Sequence, residues 1–327
     1  MKNDFIEVKI SKKTGLIESF IQDGKNMLNT MKIKAYKDNA DPWGMLVDEF
    51  SDVLGEFELN NSIRVIENGD VRTKIQADLK WSNSFAIITY TFSKNSKYFD
   101  IQVKMLTNDE NKMFKLVFDT TLDDNSKALG QTMFGTEVLK KAGKEVVFQK
   151  WCGLENGTAN FNIINSGTYG GSFNDGEIAI SLLRTPVYSA HPVDYKGVEL
   201  APDNRIYNHI DMGERDFSFR ILANEDYIDF EAEKFNLKPY VLSFFPSGTG
   251  EKTENPIVLD NKNIILSAYK NERDSVLIRL FNSSFLNQCV TMNFEGEDFE
   301  FGFKPFEVKT FIKKEGGLSE TDMLCTD

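Results

Sequence analysis

Strict alternation of apolar and polar side chains constrains this chain more than any other feature. From Val71 onward, Val71, Thr73, Ile75, Ala77, Leu79 and Trp81 fall on one side, and Arg72, Lys74, Gln76, Asp78 and Lys80 fall on the other. Only a strand with one wet face satisfies that pattern, because successive side chains in a strand point to opposite faces. The pattern returns with Phe99, Ile101, Val103 and Met105 against Asp100, Gln102 and Lys104, and with Phe217, Phe219 and Ile221 against Asp216, Ser218 and Arg220. Residues 85–92 are apolar on both faces, which predicts a central strand. The 27 phenylalanines, with many Val, Ile and Thr, suit pleated and half-buried surfaces.

Turn signals separate the apolar runs, among them Thr14-Gly15, Asp23-Gly24, Asn68-Gly69, Asn156-Gly157 and Asp175-Gly176, while helix signals are sparse. An all-β fold class follows. At 327 residues the chain exceeds one ordinary core, so one large β architecture or two packed domains is expected. Pro246-Ser247-Gly248-Thr249-Gly250 and the polar 251–255 run break the alternation. The expected division is therefore residues 1–245 and residues 256–327. Strands of the second part are predicted at 264–269, 276–281, 290–294 and 305–312, and a fraying tail is predicted beyond Ile312.

Charge and cysteine content narrow the chemistry. A net charge of −12 opposes binding to polyphosphates, which depends on Lys and Arg releasing counterions, so neither nucleic acid nor an anionic membrane is an expected partner. No apolar run approaches the roughly 20 residues of a bilayer span, and the first residues do not read as a signal peptide. A cytoplasmic location is expected. The three cysteines, Cys152, Cys289 and Cys325, lack CxxC spacing. Cys152 and Cys289 read as small core residues and Cys325 as a tail thiol.

Catalytic signatures are scarce. The chain has two histidines, His191 and His209, and no HExxH. It therefore offers neither a zinc site nor a nucleophile triad, and no catalytic residue and no metal ligand are assigned. Gly167-Thr168-Tyr169-Gly170-Gly171 lacks the context of a phosphate loop and reads as a tight hairpin. Aromatics in turns are the better lead, because sugar rings stack on flat side chains while their hydroxyls pair with polar groups. Asp41-Pro42-Trp43-Gly44 and Asn165-Ser166-Gly167-Thr168-Tyr169 place Trp43 and Tyr169 in such turns, with Asp41 and Asn165 as polar neighbours. The alternative is that Trp43 and Tyr169 simply cover sandwich edges. Trp81 and Trp151 lie in or beside strand patterns and read as core.

The order and wording of several segments resemble the carboxy-terminal region of glycoside hydrolase family 38 α-mannosidases. They include Tyr36-Lys37-Asp38-Asn39-Ala40-Asp41-Pro42-Trp43-Gly44, Met113-Phe114-Lys115-Leu116 and Phe148-Gln149-Lys150-Trp151. Ile164-Asn165-Ser166-Gly167-Thr168-Tyr169-Gly170, Ser181-Leu182-Leu183-Arg184-Thr185-Pro186 and Asp211-Met212-Gly213-Glu214-Arg215-Asp216-Phe217 are the most specific. Ser166 and Arg215 depart from the family pattern, which has Asp and His there, and no sugar contact is carried to them.

The resemblance implies a large β super-sandwich like that of galactose mutarotase, followed by a smaller β-sandwich. It also implies that the zinc, the Asp nucleophile and the acid/base carboxylate belong to an amino-terminal α/β barrel that no segment here matches. In the whole enzyme that barrel hydrolyses terminal α-linked mannose with retention. This chain is then expected to need no cofactor of its own, to be inactive alone, to pack against the catalytic domain as its partner, and to line the pocket for a mannose-containing oligosaccharide. Trp43, Asp41, Asn165 and Tyr169 are the candidate pocket rim. Two other readings stay open: a stand-alone carbohydrate-binding module, and a mutarotase-like epimerase using His191 or His209.

Overall fold

Each alternating segment becomes a strand with most of its apolar side buried, although Val71 lies ahead of its strand and is 76% exposed. The computed structural model describes residues 1–38, 47–188, 208–243, 245, 248–249, 255–272, 275–314 and 317–324. In it the Arg72–Trp81 strand buries Ile75, Ala77 and Leu79 and pairs antiparallel with Ser84–Ser93.

Two large sheets result. One has eight strands, in the order Ile6–Ile10, Ile17–Gln22, Lys25–Lys37, Lys112–Thr120, Glu177–Arg184, Gly170–Asn174 and Val146–Val147, with Val53–Glu56 also on Lys25–Lys37. The other has ten, in the order Gly135–Leu139, Lys127–Thr132, Trp151–Glu155, Asn160–Asn165, Gly213–Ala223, Tyr98–Thr107, Ser84–Ser93, Arg72–Trp81 and Glu58–Leu59, with Arg64–Asn68 also on Arg72–Trp81.

The inward faces of both sheets form one core. Phe20 of the first sheet meets Phe99 and Phe161 of the second edge to face, with ring centres 5.2 and 6.3 Å apart. Such contacts between fully buried rings add about 0.5–1.5 kcal/mol each to the burial itself. Trp151 and Cys152 are buried, and Trp81 packs on the core while remaining partly accessible.

Three details differ from the sequence expectations. The Ser84–Ser93 strand lies inside its sheet, yet Phe85 and Ile87 on its outer side are exposed, because the inward row alone enters the core and Lys80 stands over the Phe85 ring. The 166–169 turn does not close a hairpin. The strand before it pairs in the ten-stranded sheet and the strand after it pairs in the eight-stranded sheet, so the turn carries the chain between layers. Cys289 is exposed, since its neighbour Val290 takes the inward register.

The chain divides into two compact units: Met1–Gly130 with Val138–Glu225, and Gln131–Glu137 with Asp226–Asp327. This division falls ahead of the 245–256 break. The second unit holds the helix Ile228–Asn236, a three-stranded sheet (Ile257–Leu259, Gln288–Phe294, Glu297–Phe303) and a four-stranded sheet (Ile264–Glu272, Ser275–Asn282, Val308–Lys314, Gly317–Thr321). Ile278, Leu280, Met292, Phe294 and Phe311 from both sheets make its core. Beyond Ile312, where fraying was expected, the strand runs on to Lys314 and Gly317–Thr321 pairs with it.

Gln131–Glu137 joins this unit through specific contacts. The Gln131 amide donates to Asp229 at 2.7 Å in a buried setting, and the Phe134 and Phe281 rings meet at 5.4 Å.

Candidate functional site at one end of the eight-stranded sheet

Strand register gathers several chain turns at one end of the eight-stranded sheet. Lys112 pairs with Lys37, and Met113 with both Tyr36 and Arg184, so one strand starts where its two neighbours finish. Gly171 pairs with Ile180, which places Tyr169, just before that strand, at the same end. Three strand spacings separate the Lys37 and Gly170 strands, roughly 14 Å. The Asn165–Tyr169 turn and the end of the Lys25–Lys37 strand at Asp38 therefore lie on one rim. Asp41 and Trp43 themselves lie outside the described residues, as does His191.

Beneath this rim, on the outer face of the sheet, sits a cluster of buried charge. Phe114 and Leu116 point into the sandwich, so Lys115 between them points out, yet its side chain is only 1% exposed. Its ammonium donates to Glu145 and, at 2.8 Å, to the Ser172 hydroxyl. The other Glu145 oxygen accepts from Ser181 at 2.6 Å. Arg184 makes a two-bond pair with Asp38, Nε to Oδ2 at 2.7 Å and Nη2 to Oδ1 at 3.1 Å.

The Phe50 ring faces both cations, 5.7 Å from Lys115 Nζ and 5.0 Å from the Arg184 guanidinium. Tyr36, Met113 and Val47 close an apolar patch around it. Burial pushes the Lys115 amine below its ordinary range, an effect that Glu145 opposes. Burial, followed by the charges of Glu177, Glu145 and Glu56, pushes the Tyr36 hydroxyl up.

Two surface segments are held down by these groups. The amide of Glu145 donates to the Asp48 carbonyl at 2.8 Å, Lys144 pairs with the Asp48 carboxylate at 2.6 Å, and the Lys37 amide donates to the Asp52 carbonyl at 2.9 Å. Asp38 donates its amide to the Asn111 carbonyl at 3.0 Å. Each hydrogen-bonded charge faces one of opposite sign, so the cluster is suited to fixing the rim.

The rim itself mixes fixed and free groups. Asn165 is buried; its amide donates to the Gln149 carbonyl at 2.8 Å, and its Oδ1 accepts from the amides of Gly167 at 3.0 Å and Thr168 at 2.8 Å. Gly167 has φ +141°, a conformation natural to glycine. That bracing presents Tyr169 with 54% of its surface exposed, beside the exposed Val147. His209 is half-buried with Nδ1 3.6 Å from Glu110 Oε1, and its Nε2 has no hydrogen-bond partner among the described residues.

Among the described residues, no three His, Cys, Asp or Glu side chains converge as a metal-binding group. Lys115, Glu145, Asp38 and Arg184 were not singled out from the sequence. The available signal was a lysine inside the apolar run 113–118, a residue type that is buried only when paired.

Comparison with known proteins places this architecture. An alpha-mannosidase from Enterococcus faecalis V583 superposes with TM-score 0.75 at 14% identity, over 95% of this chain and 41% of that one. A glycosyl hydrolase family 38 protein from Enterococcus faecalis gives TM-score 0.76 at 14% identity, over 95% of this chain and 43% of that one. The chain thus spans about two fifths of the length of these proteins. A putative aldose 1-epimerase from Escherichia coli K12 gives TM-score 0.39 at 7% identity, over 68% of this chain and 97% of that one. No curated protein sequence matches. The family model described as "Glycosyl hydrolases family 38 C-terminal domain" matches residues 1–205, which include every residue of the buried charge cluster and the Tyr169 turn. The chain belongs to that family.

Proposed function

We propose that this chain is the non-catalytic β portion of a family 38 α-mannosidase. It scaffolds a separate catalytic domain and presents its charged end to the sugar pocket. The match of residues 1–205 to the family's C-terminal domain carries this reading, and the 95% coverage by two fifths of an alpha-mannosidase supports it. In this reading the whole enzyme hydrolyses terminal α-linked mannose with retention, the zinc and both catalytic carboxylates belonging to the catalytic domain. This chain's contribution is the rim, with Asp41, Trp43 and Tyr169 as its lining and the buried Asn165 bracing the turn that carries Tyr169. The Asp38–Arg184 pair and the Lys115–Glu145 cluster hold that rim in place.

Hydrolysis of an aryl α-mannoside, measured with the chain alone and with the chain co-expressed beside a family 38 catalytic domain of its own organism, tests the proposal. Activity only in the second case is expected. Turnover by the chain alone, or failure of the two polypeptides to co-purify, overturns it.

The exposed Tyr169 on a braced turn favours one further reading, a sugar-binding module that acts by stacking. Retention on a mannose matrix that Tyr169→Ala abolishes supports it, and equal retention of both proteins rules it out.

A further inference from the structure

The most anomalous surface of the molecule lies in the second unit, after its helix. Leu237, Tyr240, Val241, Leu242 and Phe245 are between 68% and 102% exposed, five large apolar side chains within nine residues. Beyond the bond from the Leu237 amide to the Glu233 carbonyl, the described part of this segment belongs to no helix or strand. A flexible connector is built of Gly, Ser and charged residues, and does not hold five apolar groups in water. The stretch from Pro239 to Gly250 contains no charged residue, although charged residues make up 27% of the chain. Large apolar and aromatic content without charge is the composition of a buried interface core. Val, Tyr, Leu and Phe outside any helix or strand also suit strand addition, in which an unpaired segment joins the sheet edge of another body.

We propose that residues 237–243 and 245 form a docking segment for the catalytic domain of a family 38 glycoside hydrolase, which covers Tyr240, Val241 and Leu242. The inference rests on the function proposed above. Its occupant follows from length: the matched alpha-mannosidases extend over more than twice the span this chain covers, so a second large body of the same enzyme is there to cover the segment. The uncharged run from Pro239 onward also lets a partner approach a chain of net charge −12 without repulsion at the contact.

The test uses the full chain, tagged, co-expressed with the family 38 catalytic domain of its own organism. Tyr240→Ser/Leu242→Ser is expected to weaken co-purification about tenfold or more, as loss of a central apolar anchor does, with an unchanged melting temperature. In the wild-type complex, the amides of 240–243 are expected to gain hydrogen-exchange protection relative to the free chain. If the wild type co-purifies and the double variant does so equally, or if the amides gain no protection, the docking segment is refuted while the proposed function stands. If the wild type does not co-purify, both fall. Concentration-dependent dimerisation of the chain alone that the double variant abolishes would make a second copy the occupant, and that also overturns the proposal.

Discussion

Arg184 and Asp38, 146 residues apart in sequence, close a two-bond ion pair across the starting strand of Lys112, and the Asp38 side chain is completely buried. Breaking such a pair from one side takes the guanidinium away from a buried carboxylate. Arg184→Met should therefore destabilise the first unit by about 3 kcal/mol or more. Arg184→Met/Asp38→Asn should recover much of that loss in urea titrations. Equal destabilisation by the single and double variants would contradict the pairing.

The Lys115–Glu145 contact is asymmetric. Lys115 is 1% exposed and Glu145 is 22% exposed, with Ser181 still donating to the carboxylate. Glu145→Ala strands a buried ammonium and should cost about 3 kcal/mol, whereas Lys115→Met leaves a carboxylate near water and should cost less, about 1 kcal/mol.

Lys115 also predicts a pH dependence. Its folded-state amine titrates below its ordinary value of 10.5. Between the lowered value and 10.5 the unfolded chain binds more protons than the folded one, so this group adds stability as pH rises. The raised Tyr36 and Tyr90 hydroxyls act in the opposite sense: their contribution is present below pH 10 and is lost above it. Both tyrosines remain in Lys115→Met, so the melting temperature of the wild type minus that of the variant should increase from pH 8 toward 10.5. A flat or falling difference would refute the burial of a charged lysine.

Asn165 and Tyr169 divide structure from contact at the same turn. Asn165→Ala removes one donor bond and two acceptor bonds in a buried site, and should cost about 2–3 kcal/mol in chemical denaturation. Tyr169→Ala should change stability by less than about 0.5 kcal/mol, as exposed positions do, and act only on ligand retention.

Gly15 is a stringent backbone position. Its φ is +71°, a Cβ there would lie 2.7 Å from the Ala77 Cβ, and its carbonyl accepts the buried Tyr90 hydroxyl at 3.0 Å. Gly15→Ala combines left-handed strain with overpacking and should lower stability by about 2–4 kcal/mol, measured by calorimetry.

Much of the fold was legible because side-chain alternation is a local property. The predicted runs around 72–81, 99–105 and 217–221 are strands with the expected faces buried. Local reading failed where partners decide. Nothing near Gly167 announces that the strands on its two sides join different sheets, and nothing near Phe85 announces an uncovered outer face. Cys289 missed the core by one register step. The exposure of Tyr169 on a turn was legible because its turn signals are local. The cluster below it depends on Lys115, Glu145, Asp38 and Arg184 meeting from four distant segments, and only the strand registers bring them together.

The seven residues Gln131–Glu137 have a consequence for how the chain is made and divided. They belong to the second compact unit but leave the ribosome almost a hundred residues before the helix that carries Asp229. During synthesis the Gln131–Asp229 bond and the Phe134–Phe281 contact must wait until that helix and the Phe281 strand have emerged. A gene cut at Glu225 would not yield two modules. The downstream piece would lack part of its own interior, so any evolutionary shuffling of the second unit has to carry an insert from the middle of the first.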